Sequence, residues 1–238
     1  MNAHRYVYWF RKGLSLKSLY AILAMTVAIV FFHAFAQGGS QFYSVILEFL
    51  SIFILHLVLF PWFLLVASSN NRMFFSPVAL TRYKSPNHAY AERLFFLSAE
   101  ALVFCAIYFV SAVVSMVILS PALFGEIHFL VWILVLLYPY VGFIYVGVLM
   151  VVLSKFVGEI WAMAIVFACL SADFIVAAIT VIGNSGSMFY GVIKSFGQSF
   201  LTGVNLPVAI KTFWLLLAQV AVFVAIGFAK FKRERRMV

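Results

Sequence analysis

Six long apolar runs constrain this chain more than any other feature of its sequence. A helix needs about 20 mainly apolar residues to cross a bilayer. The six runs that come close to this length lie at about residues 19–36, 45–67, 94–119, 128–153, 159–182 and 208–229. Charged residues make up only 10% of the chain, whereas a soluble domain carries roughly 25%. We therefore predict a single all-α polytopic membrane domain, residues 1–238, with six transmembrane helices.

The basic residues are distributed unevenly around these runs. If six spans alternate in direction, 14 of the 16 Lys and Arg residues fall on one side, and only Lys194 and Lys211 fall on the other. An excess of Lys and Arg is typical of cytoplasmic loops, so both termini are predicted to lie in the cytoplasm. The net charge of +9 is then explained by orientation and by contact with anionic lipid, and no nucleic-acid partner is expected.

A polar, basic segment from Ser68 to Arg93 separates the second run from the third. Ser76-Pro77 and Ser85-Pro86 both match a helix start. Serine at the N-cap accepts a hydrogen bond from an unpaired backbone N–H, and proline at the first helical position removes no intrahelical bond. The pattern predicts a short helix over about residues 77–82, a break at 84–85, and a third span that starts near residue 86. Together they would form a rigid cytoplasmic elbow.

Two other segments are predicted to lie at the membrane surface without crossing it. Residues 4–18 mix aromatic and basic side chains at helical spacing, which is typical of an amphipathic helix in the inner interface; a disordered basic leader is the alternative. Residues 183–207 are apolar in the middle but broken by glycines. They predict a re-entrant hairpin of short helices in the outer leaflet, between spans five and six.

Ionisable side chains inside the spans are candidates for function, because lipid makes them costly. Asp173 lies near the middle of the fifth span, His56 midway along the second, and Glu100 about two turns into the third. Asp173 could bind substrate, take a proton, or form a structural hydrogen bond between helices. His56 could titrate or serve in packing. Glu100 shares a helix face with Arg93, which favours local pairing near the inner surface.

Small residues on two spans predict close helix packing. Ala164, Ala168 and Ala172 repeat every four residues on the fifth span, and Gly142 and Gly147 lie in the fourth. Such residues let helix backbones approach each other closely. Whether the approach is within one subunit or between two subunits is left open by the pattern.

The sequence carries no motif for catalysis or for metal binding. It has no Gly-x4-Gly-Lys-Ser/Thr loop to hold nucleotide phosphates, and no spacing of His, Asp and Glu suits a metal. Gly183-Asn184-Ser185-Gly186 matches the Gly-x-Ser-Gly of rhomboid-type proteases, but the sixth span holds no histidine to activate the serine. We expect a protein that is not an enzyme and that binds no cofactor itself.

Taken together, these features resemble the ABC-2-type exporter permeases. The resemblance is carried by the N-terminal amphipathic helix, the six spans with both ends inside, the elbowed loop and the broken outer hairpin. The stretch Leu80-Thr81-Arg82-Tyr83-Lys84-Ser85, which leads through Tyr90 and Glu92 into span three, is similar to the loop of small bacterial permeases linked to peptide or bacteriocin export and self-protection. The architectural match covers nearly the whole chain, and the local match is short.

The resemblance implies a permease subunit of the bacterial cytoplasmic membrane that dimerises, with itself or with a similar permease. It would bind a separate ATP-binding cassette ATPase that carries the ATP and Mg. It would move an amphipathic substrate outward, and a peptide is the best candidate for that substrate. A coupling helix of about residues 76–88 would dock on the ATPase. The implied docking residues are Ser76, Pro77, Leu80, Arg82, Tyr83, Lys84 and Ser85, and the substrate path would include His56, Glu100 and Asp173.

Two other classes of transporter fit the same composition. The substrate-capturing subunit of a vitamin-type importer also has about six spans and no ATPase motif, but it requires a separate transmembrane coupling protein. An ion-coupled secondary transporter would use Asp173 and would work without any ATPase. Co-purification distinguishes the importer, which requires the coupling protein, from the exporter, which requires only an ATPase. The effect of Asp173→Asn on transport without an ATPase distinguishes the ion-coupled transporter.

Overall fold

The part of the chain that the structure describes is built from α-helices. The computed structural model describes residues 59–76, 80–81, 83, 85–119, 129–180 and 206–234. Within these ranges the helices are α1 (Phe60–Phe74), α2 (Pro86–Leu119), α3 (Phe129–Val157), α4 (Glu159–Thr180) and α5 (Leu206–Glu234). Three predicted segments lie outside the described residues: the first span, the N-terminal interfacial helix and the outer hairpin. The exception is residues 206–207, the end of the predicted hairpin, which begin α5.

Three of these helices contain stretches that are long and apolar enough to cross a membrane. They are Pro86–Ser111 in α2, Pro139–Val157 in α3 and Phe213–Lys232 in α5. A shorter apolar stretch, Glu159–Ala172, lies in α4. The all-α class predicted from the sequence is therefore confirmed for the described ranges, and the three long helices are consistent with a membrane protein.

Helix α1 continues beyond the end that the sequence predicted for the second span. The prediction ended that span at residue 67 and assigned Ser68 onward to a polar segment, whereas the helix runs to Phe74. Ser68, Asn70 and Asn71 are buried together with the apolar residues on either side of them. In the last two turns α2 covers the side chains of Asn70 and Asn71 and supplies a hydrogen-bond partner for each, which the composition of the segment alone does not reveal.

The start of α2 agrees with the cap predicted at Ser85-Pro86. The backbone N–H of His88 donates to Ser85 Oγ at 3.2 Å and to the Ser85 carbonyl at 3.0 Å, and Ala89 N donates to the same carbonyl at 3.2 Å. Serine thus satisfies an N–H that the helix leaves unpaired. Pro86 occupies the first helical position, where a missing N–H costs no intrahelical bond.

The elbow between α1 and α2 contains two short turns among its described residues. Leu80 N donates to the Ser76 carbonyl at 2.9 Å, which closes one turn of helical type, and Tyr83 N donates to the Leu80 carbonyl at 3.1 Å. The remainder of the short helix predicted over residues 77–82 lies outside the described residues. The described part of the segment therefore turns tightly between the two helices.

A single residue, Gly158, separates α3 from α4. Its φ of 82° lies in the left-handed region, which glycine adopts without the steric cost of a Cβ atom. Its N–H donates to the Ser154 carbonyl at 3.1 Å, and its carbonyl accepts from Ala162 N at 2.9 Å. Gly158 thus completes the hydrogen bonding of both helix ends, and the two helices pack against each other.

Helix α3 occupies the centre of the described helices. It contacts α1, α2, α4 and α5, while α1 also packs on α2 and α4, and α5 also packs on α2. Phe60 and Phe63 of α1 meet Phe143 of α3 at ring-centroid distances of 5.2 and 5.1 Å, and Phe104 of α2 lies 5.2 Å from Phe63. These aromatic contacts hold three helices together in the apolar core.

Two glycines lie where helices approach each other closely. A Cβ atom added to Gly147 of α3 would lie 2.6 Å from Leu97 Cδ1, and one added to Gly227 of α5 would overlap with Tyr90 Oη. Gly147 therefore has the packing role predicted for it. Ala164, Ala168 and Ala172 are exposed, so no helix in the described part of the chain covers that ridge.

Candidate functional site

A buried polar cluster joins α1 to α2 inside the otherwise apolar core. It consists of Asn70 and Asn71 on α1 and of Arg93 and Glu100 on α2. The side chains of Arg93 and Glu100 have 0% of their surface exposed, and both asparagines are buried. A charged pair so completely withdrawn from solvent is uncommon, because each ion loses its hydration and needs full compensation from its neighbours.

Arg93 contacts both helices through all three of its guanidinium nitrogens. Nε donates to Asn71 Oδ1 at 2.6 Å, and Nη2 donates to the Ala67 carbonyl at 3.0 Å; both acceptors are on α1. Nη1 and Nη2 donate to Glu100 Oε2 at 3.1 and 3.2 Å, within α2. The ring of Phe74 lies over the same group, with Arg93 Cζ 5.6 Å from the ring centroid. The planar guanidinium therefore connects the last two turns of α1 to α2.

Glu100 has a donor for each of its carboxylate oxygens. Oε2 accepts from Arg93, and Oε1 accepts from Asn70 Nδ2. The positive and negative charges of the pair cancel, and the two asparagines and the Ala67 carbonyl form further hydrogen bonds with the ions. Only Asn71 Nδ2 has no hydrogen-bond partner among the described residues of this cluster.

The cluster is explained by helical spacing on both helices. Arg93 and Glu100 lie seven residues apart on α2, about two turns, and so share a face. On α1, the buried residues Phe63, Leu64, Ala67, Asn70, Asn71 and Phe74 continue one stripe at spacings of three and four residues. The pairing of Arg93 with Glu100 was predicted from sequence and is confirmed. The asparagines were missed, although the unbroken stripe could have identified them.

A second ion pair lies at the surface, next to the cluster. Arg72 Nε lies 2.5 Å from Glu159 Oε2, and the two side chains are 64% and 23% exposed. Arg72 is in the last turn of α1 and Glu159 is in the first turn of α4. This pair connects the end of α1 to the helix that follows Gly158.

Lys155 and three aromatic rings form a layer at the same end of the helices. Lys155 Nζ of α3 lies 4.2 Å from the centroid of the Phe75 ring and 4.6 Å from that of Phe231. The Phe231 ring in turn stacks on Tyr90 at 4.6 Å. The layer lies beside the elbow, because Phe75 directly follows α1 and Tyr90 is in the second turn of α2.

The residues predicted to dock on a partner can be placed only in part. Ser76, Leu80, Tyr83 and Ser85 are each partly buried. Backbone hydrogen bonds bring the first three together, and Ser85 caps α2. The Tyr83 ring lies 6.0 Å from that of His88. Pro77, Arg82 and Lys84 lie outside the described residues.

The predicted substrate-path residues are also placed only in part. Glu100 is in the buried cluster, whereas His56 lies outside the described residues. Asp173 is on the helical backbone of α4, and its side chain is outside the described part. Within the described ranges, no group of three or more His, Cys, Asp or Glu side chains could hold a metal ion. The cluster is electrically neutral and hydrogen-bonded, so its chemistry is suited to joining helices.

Comparison with protein-family models, with characterised proteins and with solved structures finds no match for this chain. Its function has to be inferred from its residues and from the geometry of the cluster and the elbow.

Proposed function

We propose that this chain is the transmembrane permease subunit of an ATP-binding cassette exporter. In this proposal six spans cross a bacterial cytoplasmic membrane, with both termini in the cytoplasm, a re-entrant hairpin on the outer side and the N-terminal amphipathic helix on the inner side. The subunit pairs with a second permease. A separate ATPase, which holds ATP and Mg, docks on the coupling helix of residues 76–88 and drives the export of an amphipathic substrate. A peptide is the best candidate for this substrate.

The observation that carries the proposal is that the buried cluster joins the two helices on either side of the elbow. The elbow leaves α1 after Phe74 and enters α2 at Pro86. Close to this connection, Arg93 binds Asn71 and the Ala67 carbonyl on one side and Glu100 on the other. A force applied to the elbow would therefore act on two helices that are joined to each other, so it would displace them together and would bend neither one alone.

The same arrangement offers a path for that displacement into the rest of the protein. Helix α1 packs on α3 and α4 as well as on α2, and Arg72 at its end pairs with Glu159 at the start of α4. A shift of the α1–α2 unit would therefore reach α4 both through packing and through the ion pair. This is the behaviour that a permease moved by an external motor requires.

The test is co-purification with an ATP-binding cassette ATPase encoded by a neighbouring gene. The double variant Arg82→Glu/Lys84→Glu should lose most of the bound ATPase, because an acidic docking surface would now be repelled. The matched control is Arg235→Glu/Arg236→Glu, which reverses two charges on the same predicted side but outside the elbow. It should retain the ATPase at the wild-type level.

Three outcomes would contradict the proposal. If the Arg82 and Lys84 variant binds the ATPase as well as the wild type, the docking site is wrong. If a further transmembrane coupling protein is required for ATPase binding, the chain behaves like the capturing subunit of an importer. If transport continues without any ATPase and is abolished by Asp173→Asn, the chain is an ion-coupled transporter.

A further inference from the structure

Two exposed tryptophans lie near opposite ends of the described helices. Trp161 is in the first turn of α4 and is 68% exposed, and Trp214 is in the third turn of α5 and is 65% exposed. Helix α4 follows α3 after Gly158 alone, and the end of α3 contacts α5 where Lys230 Nζ lies 4.8 Å from the centroid of the Phe156 ring. Trp161 therefore lies near the C-terminal end of α5, whereas Trp214 lies near its N-terminal end.

The surface of α5 between these two levels is apolar. After Trp214, the exposed residues of α5 as far as Ala229 are all hydrophobic, and the next exposed residue is Lys232. The hydrophobic ones are Leu215, Ala218, Ala221, Val222, Ala225, Ile226 and Ala229. A rise of 1.5 Å per residue separates Trp214 from Lys232 by about 27 Å, and the hydrocarbon core of a bilayer is about 30 Å thick. The exposed face of α5 therefore has the length of a membrane crossing.

The positions of the two indoles indicate what covers this face. Tryptophan combines an apolar ring with one N–H donor, so it is enriched at the boundary between lipid and water, where the ring contacts acyl chains and the N–H reaches headgroups or water. One exposed tryptophan near each end of an apolar face of this length is the arrangement that a bilayer favours. A protein partner would not require that spacing, so lipid is the better match.

We infer that the exposed face of α5 contacts the acyl chains of the bilayer, with Trp161 at one lipid–water boundary and Trp214 at the other. A second permease would then pack on another side of the protein, away from this face of α5. The inference rests on the membrane location that the proposed function includes, but it requires neither an ATPase nor transport.

The experiment measures the depth of nitroxide labels on the full-length protein in phosphatidylcholine liposomes. Cys169→Ala removes the exposed native thiol, and Cys105 is buried and stays. Trp161→Cys, Trp214→Cys and Val222→Cys are then introduced one at a time and labelled. Power-saturation electron paramagnetic resonance compares collisions with oxygen, which concentrates in hydrocarbon, and with a water-soluble nickel chelate. The ratio of oxygen to nickel collisions should be highest at position 222 and lower at both tryptophan positions.

Three results would overturn the inference. A label at position 222 that collides with neither reagent would show that protein covers the face. Nickel access at 222 equal to that at the tryptophan positions would place the face in water and would also remove the membrane location, whereas loss of ATPase binding bears on the proposed function alone. Labels at 161 and 214 as deep as the one at 222 would contradict the boundary assignment.

A second measurement covers the case in which a cysteine variant does not fold. Trp161→Phe and Trp214→Phe are compared with the wild type for quenching of tryptophan fluorescence by brominated phosphatidylcholine. Each substitution should reduce quenching by lipid brominated near the headgroup more than quenching by lipid brominated near the end of the acyl chain. Equal reductions with the two lipids would contradict the inference.

Discussion

Two ion pairs at the end of α1 differ almost completely in their surroundings. Arg93 and Glu100 are withheld from solvent and hydrogen-bonded by two asparagines and a carbonyl group. Arg72 follows Asn71 on α1 and pairs with Glu159 of α4, and the arginine is mostly exposed. Both pairs join an arginine to a glutamate, so the difference between them lies in solvation.

The comparison teaches that burial decides how much each pair matters. An exposed pair gains little, because water and salt already screen its charges and two long side chains must be ordered. A buried pair can contribute little net stability when intact, yet the removal of one partner leaves a charge that nothing compensates. The two pairs should therefore respond very differently to the same kind of substitution.

The largest effect is expected for Arg93→Met. This change leaves the Glu100 carboxylate buried without its cation, which should reduce the free energy of unfolding by about 3–5 kcal/mol. The measurement is unfolding in detergent, followed by helical circular dichroism. In Arg93→Met/Glu100→Leu both charges are removed, and most of the lost stability should return. A double variant no more stable than the single one would show that the cluster matters through its shape and not through its charges.

An intermediate effect is expected for Asn70→Leu. The substitution removes the donor to Glu100 Oε1 and leaves that oxygen unsatisfied, which should cost about 1–3 kcal/mol of unfolding free energy. The control is Ser69→Leu at the exposed neighbouring position on α1, where a change within about 0.5 kcal/mol is expected. Equal losses at the two positions would mean that the Asn70 hydrogen bond contributes nothing specific.

The smallest effect is expected for Glu159→Gln. Because Arg72 is largely exposed, the loss of unfolding free energy should be at most about 1 kcal/mol. It should shrink further in high salt, which screens exposed charges. The same unfolding assay, repeated at low and high ionic strength, measures this loss and its dependence on salt. A loss as large as that of Arg93→Met would remove the distinction between the two pairs.

Features set by short-range chemistry could be predicted from the sequence. The cap at the start of α2 is formed by residues within four positions of each other, so Ser85 and Pro86 were enough to predict it. The Arg93–Glu100 pair required only the assumption that α2 is helical. In both cases the interacting groups lie on the same helix, so the spacing along the chain determines their distance.

Features set by contacts between helices could not be predicted in the same way. Asn70 and Asn71 have the composition of a loop, and their burial depends on Arg93 and Glu100, which are 22 and 30 residues away in the chain. The contact of Lys155 with the Phe231 ring likewise depends on how α3 and α5 align. From the sequence Lys155 was expected only to orient the spans.

The Gly158 turn has a consequence for how α3 and α4 would enter a bilayer in the proposed function. Helices α3 and α4 contain 29 and 22 residues. Only one residue lies between them, so no extended linker would let one helix insert separately from the other. We expect them to partition into lipid as a preassembled hairpin. The acidic side chain of Glu159 would then remain at the water interface, at the tip of that hairpin.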